Sequence, residues 1–280
     1  MRRERSRKGR QSRDPLQALA KLFPDCPKDA LLASTGPWPA LDGCLVILFA
    51  SRSGSTYLAR EIESRYRIGQ IGESFNPPQL KSRAARAGLS SPASTFRHIV
   101  QSLGEERWFG VKTGVQAIKS AEHAGFVEAY LPKMRLITLF RRDLIAQAVS
   151  SAKAEMTGRF HSGQTEAHTV DIESYDRVRI LKKARTMLKA MQALKAWSNQ
   201  HDVPKGKMFY EDFRDGDFNT VVTLCDSFEL PPRAERQVAD KRAVSKIGDA
   251  VNDAWCDRFR EETDGEVNDI LERFDALTRA

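Results

Sequence analysis

Short apolar runs alternate with longer amphipathic segments along most of this 280-residue chain. The runs are Cys44–Ala50, Trp108–Lys112, Met134–Phe140 and Lys207–Tyr210. Their length and their large aliphatic or aromatic residues are typical of strands buried on both faces. Because helix-like segments separate them, they predict an α/β fold of three layers, with a mostly parallel central sheet flanked by helices. Ligands bind at the carboxyl ends of the strands in such sheets, so candidate chemistry is expected there.

The segments between these strands carry apolar residues at helical spacing. They predict helices at Thr56–Arg67, Ala117–Glu128, Asp143 to about Met156, Ile172–Gln200 and Asn219–Phe228, with Ile68–Ile71 as a further short strand. Prolines break residues 24–40 into turns, so the fold is expected to begin near Leu41. We therefore expect one folded domain over 41–280, preceded by a basic, disordered tail and lead-in over 1–40.

Composition narrows the class of protein. Hydrophobic residues make up 41% of the chain and charged residues 29%, as in soluble globular proteins. The longest apolar run, Cys44–Ala50, is far shorter than the roughly 20 residues of a membrane-spanning helix. The 4 cysteines form no C-x-x-C pair, which indicates reduced thiols in a cytoplasmic protein. The 5 histidines are dispersed, so no metal site is expected.

The net charge of +8 is unevenly distributed. Residues 1–13 contain seven arginines and lysines against one glutamate, so the rest of the chain is nearly neutral. This distribution argues against specific recognition of nucleic acid by the folded body. The tail is interpreted as a solvated arm. The alternative is that the tail is attracted to a polyanion. Nucleic acid is one such partner. Acidic lipid headgroups are the other, and they would place the protein at the inner face of a membrane.

The loop Ser51–Tyr57 follows the first buried strand, precedes a helix and suits a polyanion. Gly54 permits a backbone geometry that points successive N–H groups into one concavity, at the positive end of the following helix. Arg52 adds a planar charged fork that matches phosphate or sulfate oxygens. Hydroxyl donors come from Ser53, Ser55 and Thr56. A serine-rich turn that only caps the helix is the alternative.

A second cationic element stands at the exit of the strand Met134–Phe140. It consists of Arg142, followed eight residues later by Ser150. Eight residues span about two helical turns, or about 12 Å along the axis. Both side chains therefore reach one ligand only if Arg142 precedes the helix and extends along it.

The loop differs from that of a nucleotide kinase, G-x-x-x-x-G-K-[ST], because it lacks the first glycine and the lysine. An ordinary ATP or GTP site is therefore disfavoured. The string R-S-G-S-T at 52–56 instead resembles the loop of sulfotransferases that use 3′-phosphoadenosine-5′-phosphosulfate (PAPS). It is closest to the trehalose 2-sulfotransferase-like branch, which R-D-L-I-A-Q-A-V-S at 142–150 also resembles.

The resemblance implies a P-loop-like fold and PAPS as the sulfuryl donor. It implies that the loop cradles the 5′-phosphate and the sulfuryl oxygens, and that Arg52 neutralises the bridging oxygen as its bond breaks. Arg142 and Ser150 would hold the 3′-phosphate, the group that distinguishes this donor from ADP-like nucleotides. The implied acceptor is a small molecule or glycolipid with a carbohydrate hydroxyl, and enzymes of this branch tend to form homodimers.

In-line sulfuryl transfer needs donors around the equatorial oxygens, a cation near the leaving phosphate and a base for the acceptor hydroxyl. Glu73 in the string G-E-S-F-N-P is the candidate base, and the resemblance supports it because the branch carries a carboxylate here. The branch usually has a second acid a few residues later, which this chain lacks. Lys112, at the end of the second strand, is the candidate for stabilising charge on the leaving group. His161 is the alternative base.

Two further strings resemble elements of the family. Tyr210-Glu-Asp212 resembles its Y-E-D-L element and is expected to buttress the nucleotide side without acting in catalysis. Val251–Glu261 resembles its closing helix. Two interpretations remain open beside a sulfotransferase: an atypical P-loop nucleotide kinase, and a non-catalytic protein that binds a nucleotide or another polyanion.

Overall fold

The computed structural model describes residues 14–27, 31, 36–105, 107–160, 165, 167–235 and 249–279. Within them, four strands form one sheet, namely β1 (Gly43–Phe49), β2 (Trp108–Thr113), β3 (Met134–Phe140) and β4 (Lys205–Phe209). All neighbouring strands are parallel, in the order β2-β1-β3-β4. Helices cover both faces, so the α/β fold predicted from the sequence is confirmed.

The helices of the described chain follow in sequence order. They are α1 (Pro15–Leu22), α2 (Ser55–Arg65), α3 (Pro77–Ala87), α4 (Pro92–Leu103), α5 (Val115–His123), α6 (Phe126–Tyr130), α7 (Leu144–Thr157), α8 (Arg177–Asn199), α9 (Asn219–Ser227), α10 (Ala250–Glu261) and α11 (Gly265–Arg279). None of them is long and apolar enough to cross a membrane.

The sheet is covered on both faces because every residue of β1 is buried, and alternate residues point to opposite sides. Val46 and Leu48 pack with α1, α4 and α5. Leu45 and Ile47 pack with α2 and α9 on the other face. A third cluster joins α7, α8, α10 and α11 beside the sheet. The unbroken apolar run of β1 therefore has a direct cause in its position between two helical layers.

The folded body begins earlier than the expected boundary at Leu41. Helix α1 is capped by Asp14, whose carboxylate accepts the backbone N–H of Leu16, and Pro15 occupies its first turn. Leu19 is fully buried and belongs to the same core cluster as the sheet. Residues 15–22 are therefore part of the fold, although they precede the proline-rich turns. The basic residues 1–13 lie outside the described residues.

Local backbone signals explain where the helices differ from the predicted ones. Gly125, at a φ of 86°, separates α5 from α6, where the sequence predicts one helix. Asp176 caps α8, so only a short 3₁₀ turn at Ile172–Ser174 precedes it. Asp143 caps α7 by accepting the N–H of Ala146 at 2.8 Å.

The segment Ile68–Ile71 forms no strand within the described residues. It follows the edge of the sheet next to β2, where only Gly72 bridges to Val111. A Cβ atom at Gly110 would lie 2.6 Å from Ile71, so the glycine makes room for this close approach. The segment thus positions residue 73 without extending the sheet.

Strand order places the ends of β1 and β3 at the centre of the molecule. Leu48 of β1 aligns with Thr113 of β2 and with Thr138 of β3, so the strands end side by side. The chain goes from β1 to β2 on one side and then crosses to β3 on the other. A crevice outside the carboxyl ends is the usual ligand site where strand order reverses in this way.

Candidate active site

The loop between β1 and α2 has a tight backbone conformation. Arg52 and Gly54 both have positive φ values, of 66° and 80°. A Cβ atom at Gly54 would lie 2.2 Å from the ring of Tyr210, which follows β4. Position 54 therefore requires glycine for its backbone angle and also for the close packing of Tyr210.

A side chain of α7 fixes this loop before the start of α2. The amide of Gln147, on α7, donates to the carbonyl of Ser51 at 2.7 Å. Ser53 is fully buried, and its hydroxyl has no hydrogen-bond partner among the described residues. The amides of Ser55 and Thr56, the first two of α2, lie at the same place, where a helix supplies no acceptor of its own. The loop thus gathers donors as an anion cradle does.

Arg52 lies on the α7 side of the loop. Its Nε donates to the hydroxyl of Ser150 at 2.9 Å, and its Nη1 donates to the carbonyl of Phe160 at 2.7 Å. Burial, together with the like charges of Arg141 and Arg159, lowers the pKa of Arg52 below its ordinary value. Three guanidinium groups therefore converge near the loop, which favours an anion between them.

Lys112 and Glu73 meet on the opposite side of the loop. The ammonium group of Lys112 lies 2.8 Å from Glu73 Oε1 and 3.0 Å from the hydroxyl of Thr56. It also lies 5.1 Å from the ring centroid of Phe49. Lys112 is only 5% exposed, whereas about 30% of the Glu73 side chain is accessible. The structure thus joins three residues that the sequence proposed separately.

The segment before Glu73 is fixed by backbone hydrogen bonds. The amide of Lys112 donates to the carbonyl of Gly72 at 3.0 Å. The amide of Ile71 donates to the carboxylate of Glu63 at 2.5 Å. Asn76 binds the second oxygen of Glu73 at 2.5 Å, so both oxygens of this carboxylate have partners.

Arg142 and Ser150 have different partners in this structure. Arg142 precedes α7 as the spacing requires, but its guanidinium binds Asp212 at 2.6 Å and lies 4.2 Å from the ring centroid of Phe209. Its backbone N–H donates to the carboxylate of Glu211 at 2.9 Å. The Y-E-D string after β4 therefore holds Arg142 at the sheet edge, while Ser150 binds Arg52. His161, the alternative base, lies outside the described residues.

A small cleft opens beside Arg52. Its lining includes Arg52, Ser150, Lys153, Thr157, Arg159 and Asn252. Sequence reasoning missed Lys153 and Asn252. The signal for Lys153 was its position three residues after Ser150, on the same face of a helix. Asn252 carried no local signal, because only the packing of α10 against α7 brings it to the cleft.

The described residues contain no group of histidine, cysteine and carboxylate side chains that could hold a metal ion. Cationic side chains and hydroxyl groups surround the loop instead. This arrangement suits an anionic ligand bound through protein donors.

The comparisons with known proteins point to one family. Residues 116–262, a little over half of the chain, match the Stf0 sulphotransferase family. A sulfotransferase from Alicyclobacillus acidocaldarius has a similar fold, with a TM-score of 0.53 and 14% identity over 86% of this chain and 96% of that one. The comparison with curated proteins found no match.

Two further solved structures are more distant. The sulfotransferase domain of the Synechococcus PCC 7002 olefin synthase is 12% identical over 86% of this chain and 98% of that one, with a TM-score of 0.47. The sulfotransferase domain from the curacin biosynthetic pathway is 13% identical over 85% of this chain and 99% of that one, with a TM-score of 0.43.

Proposed function

Because this chain belongs to the Stf0 sulphotransferase family and therefore transfers sulfuryl groups, we propose that PAPS is its donor and a carbohydrate or glycolipid hydroxyl its acceptor. One observation carries the proposal. The anion-binding loop has Arg52 on one side and the Lys112–Glu73 pair on the other. A donor cation and a base therefore flank the place where a sulfuryl group would lie.

Arg52 and the loop act on the donor. The N–H groups and hydroxyls of residues 53–56 surround the 5′-phosphate and the sulfuryl oxygens. Arg52 neutralises the phosphate oxygen that gains charge when its bond to sulfur breaks. Such preorganised donors lower the barrier because they need no reorganisation during the reaction.

Glu73 and Lys112 act on the acceptor side. As the acceptor oxygen forms its bond to sulfur, Glu73 accepts the hydroxyl proton. The ammonium of Lys112 keeps the carboxylate oriented through Oε1, and it also contacts Thr56 at the start of α2. Lys112 thereby connects the base to the loop that holds the donor and stabilises charge there. The products are the sulfate ester and adenosine 3′,5′-bisphosphate.

We propose that Ser150 and Arg142 bind the 3′-phosphate of the donor. Ser150 lies beside Arg52, within the anionic side of the site. Arg142 is 52% exposed and bound to Asp212, so it would have to leave that carboxylate to reach the ligand. Surface ion pairs of this kind contribute only about 0–1 kcal/mol, which makes such an exchange inexpensive.

We also propose a cytoplasmic location, since the scattered spacing of the 4 cysteines, without a C-x-x-C pair, indicates reduced thiols. Residues 1–13 would give peripheral contact with an acidic membrane, and the folded body would form a homodimer. Light scattering of the purified chain would give about twice its mass of 31.5 kDa if it is a dimer.

Affinity and transfer measurements test the donor. Immobilised adenosine 3′,5′-bisphosphate should retain the full chain, and 5′-AMP should compete poorly for it. Labelled sulfate should move from PAPS into an acceptor in a cell extract, identified by mass analysis. Equal competition by 5′-AMP would contradict the 3′-phosphate assignment. Retention without transfer would favour a non-catalytic nucleotide-binding protein, and phosphate transfer from ATP would favour a kinase.

A further inference from the structure

The segment between α2 and Glu73 lies beside the sheet without joining it, so its place depends on individual contacts. The carbonyl of Gly72 accepts the N–H of Lys112 at 3.0 Å. One residue earlier, Ile71 is 2% exposed, and its backbone N–H donates to Glu63 Oε1 at 2.5 Å. Because a buried N–H group without an acceptor is costly, the Glu63 carboxylate fixes the backbone two residues before the candidate base.

Glu63 belongs to the helix that follows the anion-binding loop. Gly54 is the N-cap of α2, and Glu63 lies seven residues after Thr56. That spacing places Thr56 and Glu63 on one helix face, about 10 Å apart along the axis. Lys112 contacts the hydroxyl of Thr56 at 3.0 Å and the carboxylate of Glu73 at 2.8 Å. One face of α2 therefore contacts the donor side of the site at Thr56 and the base segment at Glu63.

Cations from three parts of the chain lie close enough to act on Glu63. Arg60 belongs to α2, Lys112 to β2, and Arg233 follows α9. Burial raises the pKa of the Glu63 carboxyl, while these cations and the hydrogen bond from Ile71 act in the opposite direction. The cations thus offset part of the cost of burying a carboxylate here.

The end of α2 is anchored from outside the helix. Arg233 Nε donates to the backbone carbonyl of Glu63 at 3.0 Å, and its two terminal nitrogens bind the Glu105 carboxylate at 2.9 and 2.7 Å. The backbone N–H of Arg233 donates to the carbonyl of Arg65 at 2.8 Å. A guanidinium bound in this bidentate manner adds geometric precision. Glu63 therefore extends towards Ile71 from a helix end whose backbone is held in place.

We propose that Glu63 is a positioning residue: by accepting the N–H of Ile71, it sets where Glu73 lies relative to the anion-binding loop. Glu63 touches neither donor nor acceptor and acts through Glu73. The proposal rests on the proposed function, in which Glu73 is the base, and deepens it. Its physical basis is that a displacement of about 1 Å at a reacting group can slow a reaction about 10²-fold.

Three substitutions at Glu63 separate its hydrogen bond from its charge. Glu63→Met removes the acceptor and should lower kcat for sulfate transfer about ten- to hundredfold. Glu63→Asp keeps the charge but withdraws the oxygens by one methylene group, so it should give a similar loss. Glu63→Gln keeps an oxygen for Ile71 at the full length of the side chain and should restore kcat to within about threefold of the wild type.

Calorimetry with adenosine 3′,5′-bisphosphate supplies the second measurement. All three variants should bind it within about twofold of the wild type, because residues 52–56 lie at the other end of α2. The matched control is Glu61→Met. Glu61 is a buried carboxylate of the same helix, and it pairs with Arg65 at 2.6 Å. Its loss should lower the melting temperature and leave kcat unchanged.

A double-mutant cycle with Glu73 distinguishes positioning from a general structural role. Once Glu73→Gln has removed the base, Glu63→Met should lower the residual rate by less than about twofold, because no base is left to position. If Glu63→Met unfolds, the comparison of Glu63→Asp with Glu63→Gln in the same cycle decides.

Four results would overturn the positioning role: wild-type kcat in Glu63→Met or Glu63→Asp, failure of Glu63→Gln to restore kcat, parallel losses of kcat and bisphosphate affinity, or equal losses with and without the Glu73 carboxylate. None of them touches the proposed function, provided that Glu73→Gln itself loses activity. Full activity of Glu73→Gln, or a wild-type protein that transfers no sulfate from PAPS, would contradict the proposed function and the positioning role with it.

Discussion

Lys112 shows how one buried charge can organise several groups. Its ammonium is nearly inaccessible to water, so its contacts with Glu73 and Thr56 are less screened than those of a surface lysine. The sequence could suggest each of these residues separately, from its own local string. It could not predict that they meet, because 39 residues separate Lys112 from Glu73. Their contact depends on the path of the chain along the edge of β2.

The role of Glu73 is testable with an isosteric change. Glu73→Gln should lower kcat about 10²- to 10⁴-fold, as expected for loss of a general base. The affinity for adenosine 3′,5′-bisphosphate should stay within about twofold, because the amide can still accept from Lys112. Calorimetry and labelled-sulfate transfer measure the two effects. The matched control is Glu128→Gln, at an exposed site on α6. Full activity of Glu73→Gln would place the base elsewhere.

At the scale of elements, the loop and α2 depend on a neighbour that is distant in sequence. Strand register puts the ends of β1, β3 and β4 side by side, and Tyr210 then packs on Gly54. The loop was recognisable from its residue types and from the strand before it. The contact with Tyr210 was not recognisable. The Y-E-D string was expected to buttress the nucleotide side, but the sequence does not show which residue of the loop it contacts. Likewise, the carboxylates that bind Arg142 lie in the turn after β4, about 70 residues further along the chain.

Gly54→Ala should disrupt the loop, with Gly88→Ala as a matched control. Both glycines have positive φ, of 80° and 64°, so alanine costs about 1–2 kcal/mol of backbone strain at each. A Cβ at Gly54 also meets Tyr210 at 2.2 Å, whereas Gly88 has open space. Gly54→Ala should therefore lower the free energy of unfolding more and reduce bisphosphate binding at least tenfold. Urea unfolding and calorimetry measure both, and equal effects of the two variants would contradict the packing argument.

At the scale of the whole molecule, the body of the enzyme extends further towards the N-terminus than the proline pattern suggested. The parallel sheet and the three-layer architecture were predictable because continuous apolar runs alternate with helical segments. Helix α1 was not predictable, since a helix of 8 residues has too few apolar positions at helical spacing to be recognised. Its contribution depends on Leu19 and Phe23 entering a core that other parts of the chain create.

Two truncations separate the tail from the fold. Removal of residues 1–13 should leave the melting temperature and sulfate transfer unchanged, and should abolish sedimentation with phosphatidylserine vesicles at low salt. Removal of residues 1–40 also deletes Leu19, Phe23 and Leu31, each of them at most 5% exposed. At about 1.5–3 kcal/mol for each buried side chain, unfolding should become easier by at least about 4 kcal/mol. If the two truncated proteins have equal melting temperatures, the folded domain begins near Leu41 instead.

The inner position of β1 has a consequence for synthesis of the chain on the ribosome. Both of its pairing partners, β2 and β3, lie later in the sequence, so β1 leaves the ribosome with two unpaired edges. At about 5–20 residues per second, it waits several seconds for Trp108 and longer for Met134. The string G-C-L-V-I-L-F has no charge and no proline, which makes it prone to pair with other chains meanwhile. We therefore expect the yield of this enzyme in cells to depend on chaperone protection of the nascent chain as well as on the stability of the finished fold.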